Sequence, residues 1–390
     1  MKSNARHTVI VGSGIVGLAH AWAAARQGDR VTVFERSDKA RGASVRNFGM
    51  FWPIGQTVEN YPIALRSGAL WQEFASAMNI TARRCGSACI VDHDDEAAVL
   101  EEFAKLAPDL GIDCELWTRA QAEERCPGVR KGIAKAALFS PTECNVDPRQ
   151  ALATLPVYLA KKYGVAFHWS TAVAHVEEGK LTTASGERSL FDQIIICSGH
   201  DFETLFPLAF ADAPIKVCKL QMLRTVAQPD GWSLGPMLAS GLTLRHYDSF
   251  AICPSLAAVK NRIARDTPEL DHYGIHVMAS QNGAGEVVIG DSHHYGDAVI
   301  PFDDDADAIR IANDSEFGLN GSVFTNDPQA AYDVARRIRT GAVAQNGMKL
   351  EFTAPFGGFK KSGIGREGGD AAIWNFLELK TILVDAGVTV

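Results

Sequence analysis

Residues Thr8 to Arg36 read TVIVGSGIVGLAHAWAAARQGDRVTVFER, and no other stretch of the chain narrows its possible folds so far. Thr8 to Val11 is an apolar run that suits a buried strand. Gly12, Gly14 and Gly17 follow in G-x-G-x-x-G spacing, then a small-residue helix runs from Ile15 to about Gln27, with Gly28 as its stop. A second strand, Arg30 to Phe34, ends on Glu35. Gly12 permits the tight turn, Gly14 lets backbone approach a pyrophosphate, and Gly17 lets helix and strand pack closely. The helix then points free N–H groups and the positive end of its dipole at the phosphates. Glu35 lies where a carboxylate accepts hydrogen bonds from an adenosine ribose. Strand, glycines, helix and downstream acid together predict an adenine dinucleotide site.

A chain of 390 residues accommodates two or three structural units, since domains usually run to ~100–200 residues. Its net charge of −8, with no sustained basic run, argues against nucleic acid or an anionic membrane as a partner. No apolar run approaches the ~20 residues of a membrane span. The opening MKSNARHTVIVG enters a strand with no signal-peptide pattern. Eight scattered cysteines without a C-x-x-C read as buried thiols in a reducing compartment, so a cytoplasmic location is expected. Cys85 and Cys89 have no further Cys or His cluster to complete a metal site, and none is expected.

Directly after the second strand comes a glycine-rich polar loop, Gly42-Ala43-Ser44 and Arg46-Asn47-Phe48-Gly49. Its position puts it on the cofactor side of the sheet. Backbone N–H groups and Ser44 would hold phosphates and Arg46 an anion; the alternative is an ordinary connection with a capping serine.

The G-x-G-x-x-G unit, Glu35 and GASVRNFGMFWPIGQ together resemble the D-amino-acid oxidase and glycine oxidase class of flavoenzymes, within it a bacterial branch associated with aminophosphonate breakdown. The resemblance implies FAD as the dinucleotide. It implies an α/β fold in which a Rossmann-like FAD-binding domain (1–80 and 146–208) is interleaved with an antiparallel-sheet substrate domain (81–145 and 209–302). It also implies cofactor contacts at Gly12, Gly14, Gly17, Glu35, Arg36, Ser44 and Asn47. Farther on it implies contacts at Val173 through an adenine-edge strand, and at Ser198 and Gly199 in the turn after the strand Gln193 to Cys197.

Along the chain, Tyr61 to Met78 has helical periodicity with Asn60 as N-cap, and Asp94 to Leu106 is an acidic helix. Asp147 with Pro148 opens a helix to about Tyr163, which Pro156 would kink. Arg84 to Asp92, Ala166 to Trp169 and Thr171 to Val176 have strand character. From Lys216 the pattern alternates, and KVCKLQMLRTV, GLTLRHYDSFAICPSL, YGIHVMASQN and EVVIGDSHHYG read as strands of a substrate sheet. Arg245 and Tyr247 would share one face and His246 the other. An arginine there is a natural clamp for a carboxylate or phosphonate. His293–His294 has the look of a metal pair, but no carboxylate spacing supports one.

After Phe302 the pattern changes. DDDADAIRIANDSEFGLNGSVFTNDPQAAYDVARRIRTGAVAQNG, APFGGFKKSGIGREGG and FLELKTILV resemble the C-terminal part of an aldehyde dehydrogenase, over about Asp303 to Val384. Helices are expected at Ala306–Asn313 and Pro328–Arg339, and strands at Gly321–Thr325, Ala342–Gln345 and Thr381–Val384. In that family this portion supplies an oligomerising strand, which allows a homo-oligomer. The nucleophilic cysteine of such enzymes lies upstream of this portion, and no cysteine follows Cys253, so the fragment lacks the thiolate that aldehyde oxidation needs. The chain reads as a fusion in which the usual end of a flavoenzyme is replaced after about Pro301.

The expected activity is FAD-dependent oxidation of a small amine or amino acid, an aminophosphonate among the candidates, with hydride passing to the flavin and O2 or another acceptor reoxidising it. Arg245, Arg46 and Tyr247 are the expected substrate contacts; no side chain is assigned as catalytic acid or base. A non-catalytic chain whose tail serves association is the second reading, and an NAD(P)-dependent aldehyde dehydrogenase the third.

Overall fold

The computed structural model describes residues 5–296, 305–348, 351, 353–377 and 380. The chain divides into two compact units, 1–298 and 299–390.

Within the first unit, β1 (His7–Val11) and β2 (Arg30–Phe34) lie in a parallel sheet of order Gln193–Ile196, β1, β2, Ala166–His168. Every residue of β1 is buried, as a central parallel strand covered on both faces must be. On one face pack α1 (Ile15–Arg26) and the helix Pro148–Tyr163, joining Ile10, Leu18, Val33, Leu152, Leu155 and Leu159 in one core. On the other, a small antiparallel sheet of Val173–Glu177, Lys180–Thr183 and Arg188–Leu190 brings Val173 and Leu181 against Val9, Val11 and Phe34. Asp147 caps its helix as expected, accepting the N–H groups of Arg149 and Gln150, and the helix continues through Pro156. The helix Tyr61–Met78 has the expected bounds, but the Asn60 side chain makes no cap bond.

Flanking segments on both sides of residues 146–208 build a second, seven-stranded sheet. Its order is Val217–Ala227, Glu286–Gly296, Met278–Gln281, Met237–Ser240, Ser87–Val91, Ala136–Ser140, Glu115–Thr118. It is antiparallel except where Met237–Ser240 runs parallel to Ser87–Val91. One expected strand is absent from it. GLTLRHYDSFAICPSL folds instead as two 3-10 turns, Gly241–Arg245 and Asp248–Ile252, followed by the helix Leu256–Asp266. Two of its adjacent pairs, Thr243–Leu244 and Ser249–Phe250, are buried together, which a strand would split between two faces. Leu256, Val259 and Ile263 then recur at helical spacing on the buried face.

In the second unit, helices Asp305–Asn313 and Pro328–Ala335 are present, the latter capped by Asp327. Asn320–Val323 pairs in parallel with Ala342–Gln345. The expected last strand, Thr381–Val384, lies outside the described residues.

Candidate active site

The glycine loop connects β1 to α1 under tight steric control. Gly12 has φ +103°, and a Cβ there would lie 2.2 Å from the Cys197 carbonyl oxygen. A Cβ on Gly17 would lie 2.0 Å from the Gly12 carbonyl oxygen, so α1 can pass the turn only with glycine at that position. At Gly14 the nearest atom to such a Cβ is the Ser44 hydroxyl, 3.3 Å away. Ser44 Oγ accepts the Ile15 N–H at 3.0 Å, so a hydroxyl from a loop 29 residues on closes the first turn of α1. No acidic side chain occupies that turn, which leaves the positive end of the helix available to phosphate.

Glu35 turns toward the loop. Its Oε2 accepts the Ser13 N–H and hydroxyl, both at 2.9 Å, and its Oε1 accepts the Ser37 N–H at 3.0 Å. Half-buried and holding two carboxylate oxygens beside the glycine turn, it is placed to accept from a ribose. Arg36 pairs with Asp201 at 2.7 Å. Asp201 donates its own N–H to Ser198 O, so the ends of β2 and of Gln193–Ile196 meet across the turn holding Ser198 and Gly199. Gly199 has φ +69°, and His200 is exposed. Val173 is buried beneath this edge, and the neighbouring Thr171 donates its N–H to Glu35 O. Gly12, Gly14, Gly17, Glu35, Arg36, Ser44, Ser198 and Gly199 are thus gathered around the ends of three adjacent strands. Asn47 shapes its own turn by accepting the Gly49 N–H at 2.9 Å. Arg46 is exposed, with no ion-pair or hydrogen-bond partner among the described residues.

The substrate candidates separate. Arg245 is not on a strand and is not free to clamp an anion. Its guanidinium donates to Asp271 at 2.8 Å and to the carbonyls of Leu242 (2.6 Å), Leu270 (3.0 Å) and Ile275 (3.0 Å), with the side chain 6% exposed. Four of the five donors are spent on holding a turn together. Tyr247 packs edge-on against Trp52, ring centroids 4.4 Å apart, and burial pushes its phenol up to about 12. Its hydroxyl reaches Met278 Sδ at 3.4 Å.

Two features escaped the sequence. Glu143 is fully buried beside Trp52 and Ile54. Its Oε1 accepts the Ile54 N–H at 3.2 Å, its Oε2 has no partner among the described residues, and burial raises its carboxyl to about 7. His276, Asp291 and His293 converge within the seven-stranded sheet. Only the acid followed by two histidines in DSHH hinted at the latter.

A cavity of about 370 Å³ opens directly after the glycine-rich loop, lined by Met50, Phe51, Trp52, Gln56, Asn60 and Ile63. The larger cavity, about 670 Å³, lies elsewhere on the seven-stranded sheet, lined by none of the expected cofactor residues.

The fold is similar to that of L-proline dehydrogenase from P. horikoshii, at 21% identity and a TM-score of 0.57, over 74% of this chain and 70% of that one. It is also similar to glycine oxidase from Geobacillus kaustophilus, at 19% identity and a TM-score of 0.57, over 75% and 72%. Residues 297–382 match the aldehyde dehydrogenase family. There, 85 residues are 49% identical to 3-succinoylsemialdehyde-pyridine dehydrogenase from a Pseudomonas species and 42% identical to geranial dehydrogenase from Castellaniella defragrans. The chain spans only 18% of the length of each of these curated relatives. Among the described residues no helix is long and apolar enough to cross a membrane. The residues around the glycine turn fit a dinucleotide: two positions exclude a side chain, a helix end faces outward, and a carboxylate waits beside it. Residues 7–315, well over half the chain, match the FAD dependent oxidoreductase family, so the protein belongs to that family and its dinucleotide is FAD.

Proposed function

We propose that the protein oxidises a small amine or amino acid that also carries an anionic group, an aminophosphonate being one candidate. The observation that carries this reading is the seat of Phe48 in the glycine-rich loop. Its carbonyl accepts the Ser280 hydroxyl at 2.8 Å and the Asn145 amide at 3.2 Å, which ties the loop to the substrate-sheet strand Met278–Gln281. A cofactor held by Gly12, Gly14, Gly17, Glu35, Arg36, Ser44, Asn47, Val173, Ser198 and Gly199 would therefore border that sheet. The names of the structural relatives, glycine oxidase and L-proline dehydrogenase, support an amino-acid-like donor. Bound FAD would supply the two-electron oxidation, with O2 or another acceptor as the final oxidant. The protein supplies binding and exclusion of water. Arg46 is the exposed cation for the substrate's anion, and the Tyr247–Trp52 pair gives the site an apolar wall. Arg245 acts at a distance, by holding the turn that carries Tyr247.

Anaerobic titration of the purified yellow protein with glycine, sarcosine, proline and 2-aminoethylphosphonate tests the reading. Bleaching of the 450-nm flavin band by one of them is expected; a bound flavin that none of them bleaches refutes it.

A second reading concerns the aldehyde-dehydrogenase-like unit, which would serve association, giving a homo-oligomer. Large apolar side chains support it: Ile364 and Phe376 are each 87% exposed and Phe324 is 76% exposed. Light scattering of the full chain decides it, and a monomer at every concentration would end it.

A further inference from the structure

His276, Asp291 and His293 come together through strand register. His276 lies just ahead of Met278–Gln281, and Asp291 and His293 lie on Glu286–Gly296. His276 and Asp291 exchange both backbone hydrogen bonds, at 3.3 and 2.9 Å. On the other side, the pairing with Val217–Ala227 slips between Gln221 and Met222, which oppose Ser292 and Gly290, so Asp291 has no opposite there. Such an irregularity re-aims a side chain. Asp291 Oδ1 lies 3.4 Å from His276 Nε2, and Asp291 Oδ2 lies 3.9 Å from His293 Nε2. The three side chains are 5%, 5% and 15% exposed.

The hydrogen bonding of the cluster is incomplete. His293 Nδ1 lies 2.9 Å from the Gly274 carbonyl, which can only accept, so in the neutral ring Nδ1 carries the proton and Nε2 a lone pair. That lone pair faces a carboxylate oxygen, another acceptor. Asp291 Oδ1 and His276 Nδ1 have no partner among the described residues. A buried carboxylate left in this way is costly, and a cation among the acceptors removes the cost.

We propose that His276, Asp291 and His293 form a binding site for a divalent transition-metal ion of the zinc or iron(II) type. Bonds of ~2.0–2.1 Å in tetrahedral geometry place ligand atoms about 3.3 Å apart, close to the separations here. Two imidazoles and one carboxylate leave a position open to water or a small anion. The ring of His246, its centroid 4.3 Å from that of His276, covers one side. The Gly274 carbonyl on His293 is the outer-shell bond that fixes a ligand's tautomer. A proton shared between Asp291 and His293 would satisfy that pair without metal, and the experiment separates the two. None of the three residues is assigned to FAD, and the ring of Tyr247, the proposed apolar wall of the substrate site, lies 6.0 Å from that of His276.

The full chain is incubated with zinc chloride, freed of loose metal by gel filtration and analysed for zinc and flavin. One equivalent of zinc is expected in the wild type and in His294→Ala, whose ring takes the alternate face of the strand. At least tenfold less is expected in Asp291→Asn and His293→Ala. X-ray absorption at the zinc edge of the wild type needs no variant. It is expected to show only nitrogen and oxygen neighbours at ~2.0–2.1 Å, with imidazole scattering beyond. A wild type that retains no zinc, variants that retain it fully, or a sulfur shell would each overturn the site.

Discussion

Glu143 gives the sharpest test of how this interior is built. Its carboxyl is buried, and desolvation raises it from 4.5 to about 7 against the opposing effect of its hydrogen bonds. Between those values the folded protein keeps a proton that the unfolded chain has released. The unfolded state then binds fewer protons, so stability falls as pH rises. The loss begins near pH 4.5 and is complete just above pH 7. A shift of 2.5 pH units, from 4.5 to 7, at 1.36 kcal/mol each amounts to about 3 kcal/mol. Most of it, about 2.5 kcal/mol, falls between pH 5 and 8. Glu143→Gln keeps the side chain's shape and its acceptor for Ile54 but cannot ionise. Urea unfolding of holoprotein, followed by tryptophan fluorescence at pH 5, 6, 7 and 8, should find the variant's stability gaining on the wild type's by that amount. Subtracting the two curves removes every other titrating group. Curves that stay parallel across this range would show that the carboxylate is solvated in the folded state, and the reasoning from burial would be wrong.

Three further outcomes are expected. Gly17→Ala forces a methyl to within 2.0 Å of a backbone carbonyl that cannot yield, so the purified variant should carry less than a tenth of the wild-type flavin per chain by its absorbance ratio at 450 and 280 nm. Arg245→Met strands three carbonyls and leaves Asp271 half-exposed. It should cost about 3 kcal/mol in urea unfolding, since each buried acceptor left unpaired costs about 1–3 kcal/mol. A raised KM with intact stability would instead restore Arg245 as a substrate clamp. The full chain should show no NAD(P)-dependent aldehyde oxidation in a spectrophotometric assay. Its last cysteine, Cys253, is buried with its thiol raised to about 11 by desolvation, which leaves little thiolate to attack a carbonyl.

What could be read from the sequence follows from how far the determining contacts reach. The dinucleotide unit writes its strand, turn, helix and acid within 29 residues; Gly17 there answers to the Gly12 carbonyl five residues back, and Gly12 to Cys197 just past the adjacent strand. The helices Tyr61–Met78 and Pro148–Tyr163 were equally legible, because periodicity and a local cap set their bounds. Residues 241–256 read as a strand because LTLRHY mimics the period of one. The outcome there is decided by partners remote in sequence. Glu96 leaves no room for a side chain at Gly241, whose Cβ would fall 2.1 Å from a carboxylate oxygen, and Arg245 gathers carbonyls from Leu242 to Ile275. The histidine cluster shows the same limit at a site. His293–His294 looked like a pair, yet adjacent residues on a strand point to opposite faces. The effective neighbours of His293 are Asp291, two residues back, and His276, which only the pairing of two strands and a slip in a third could deliver. Local spacing therefore points to a dinucleotide cofactor, while the groups meeting a substrate or a metal depend on a register that the sequence does not spell out.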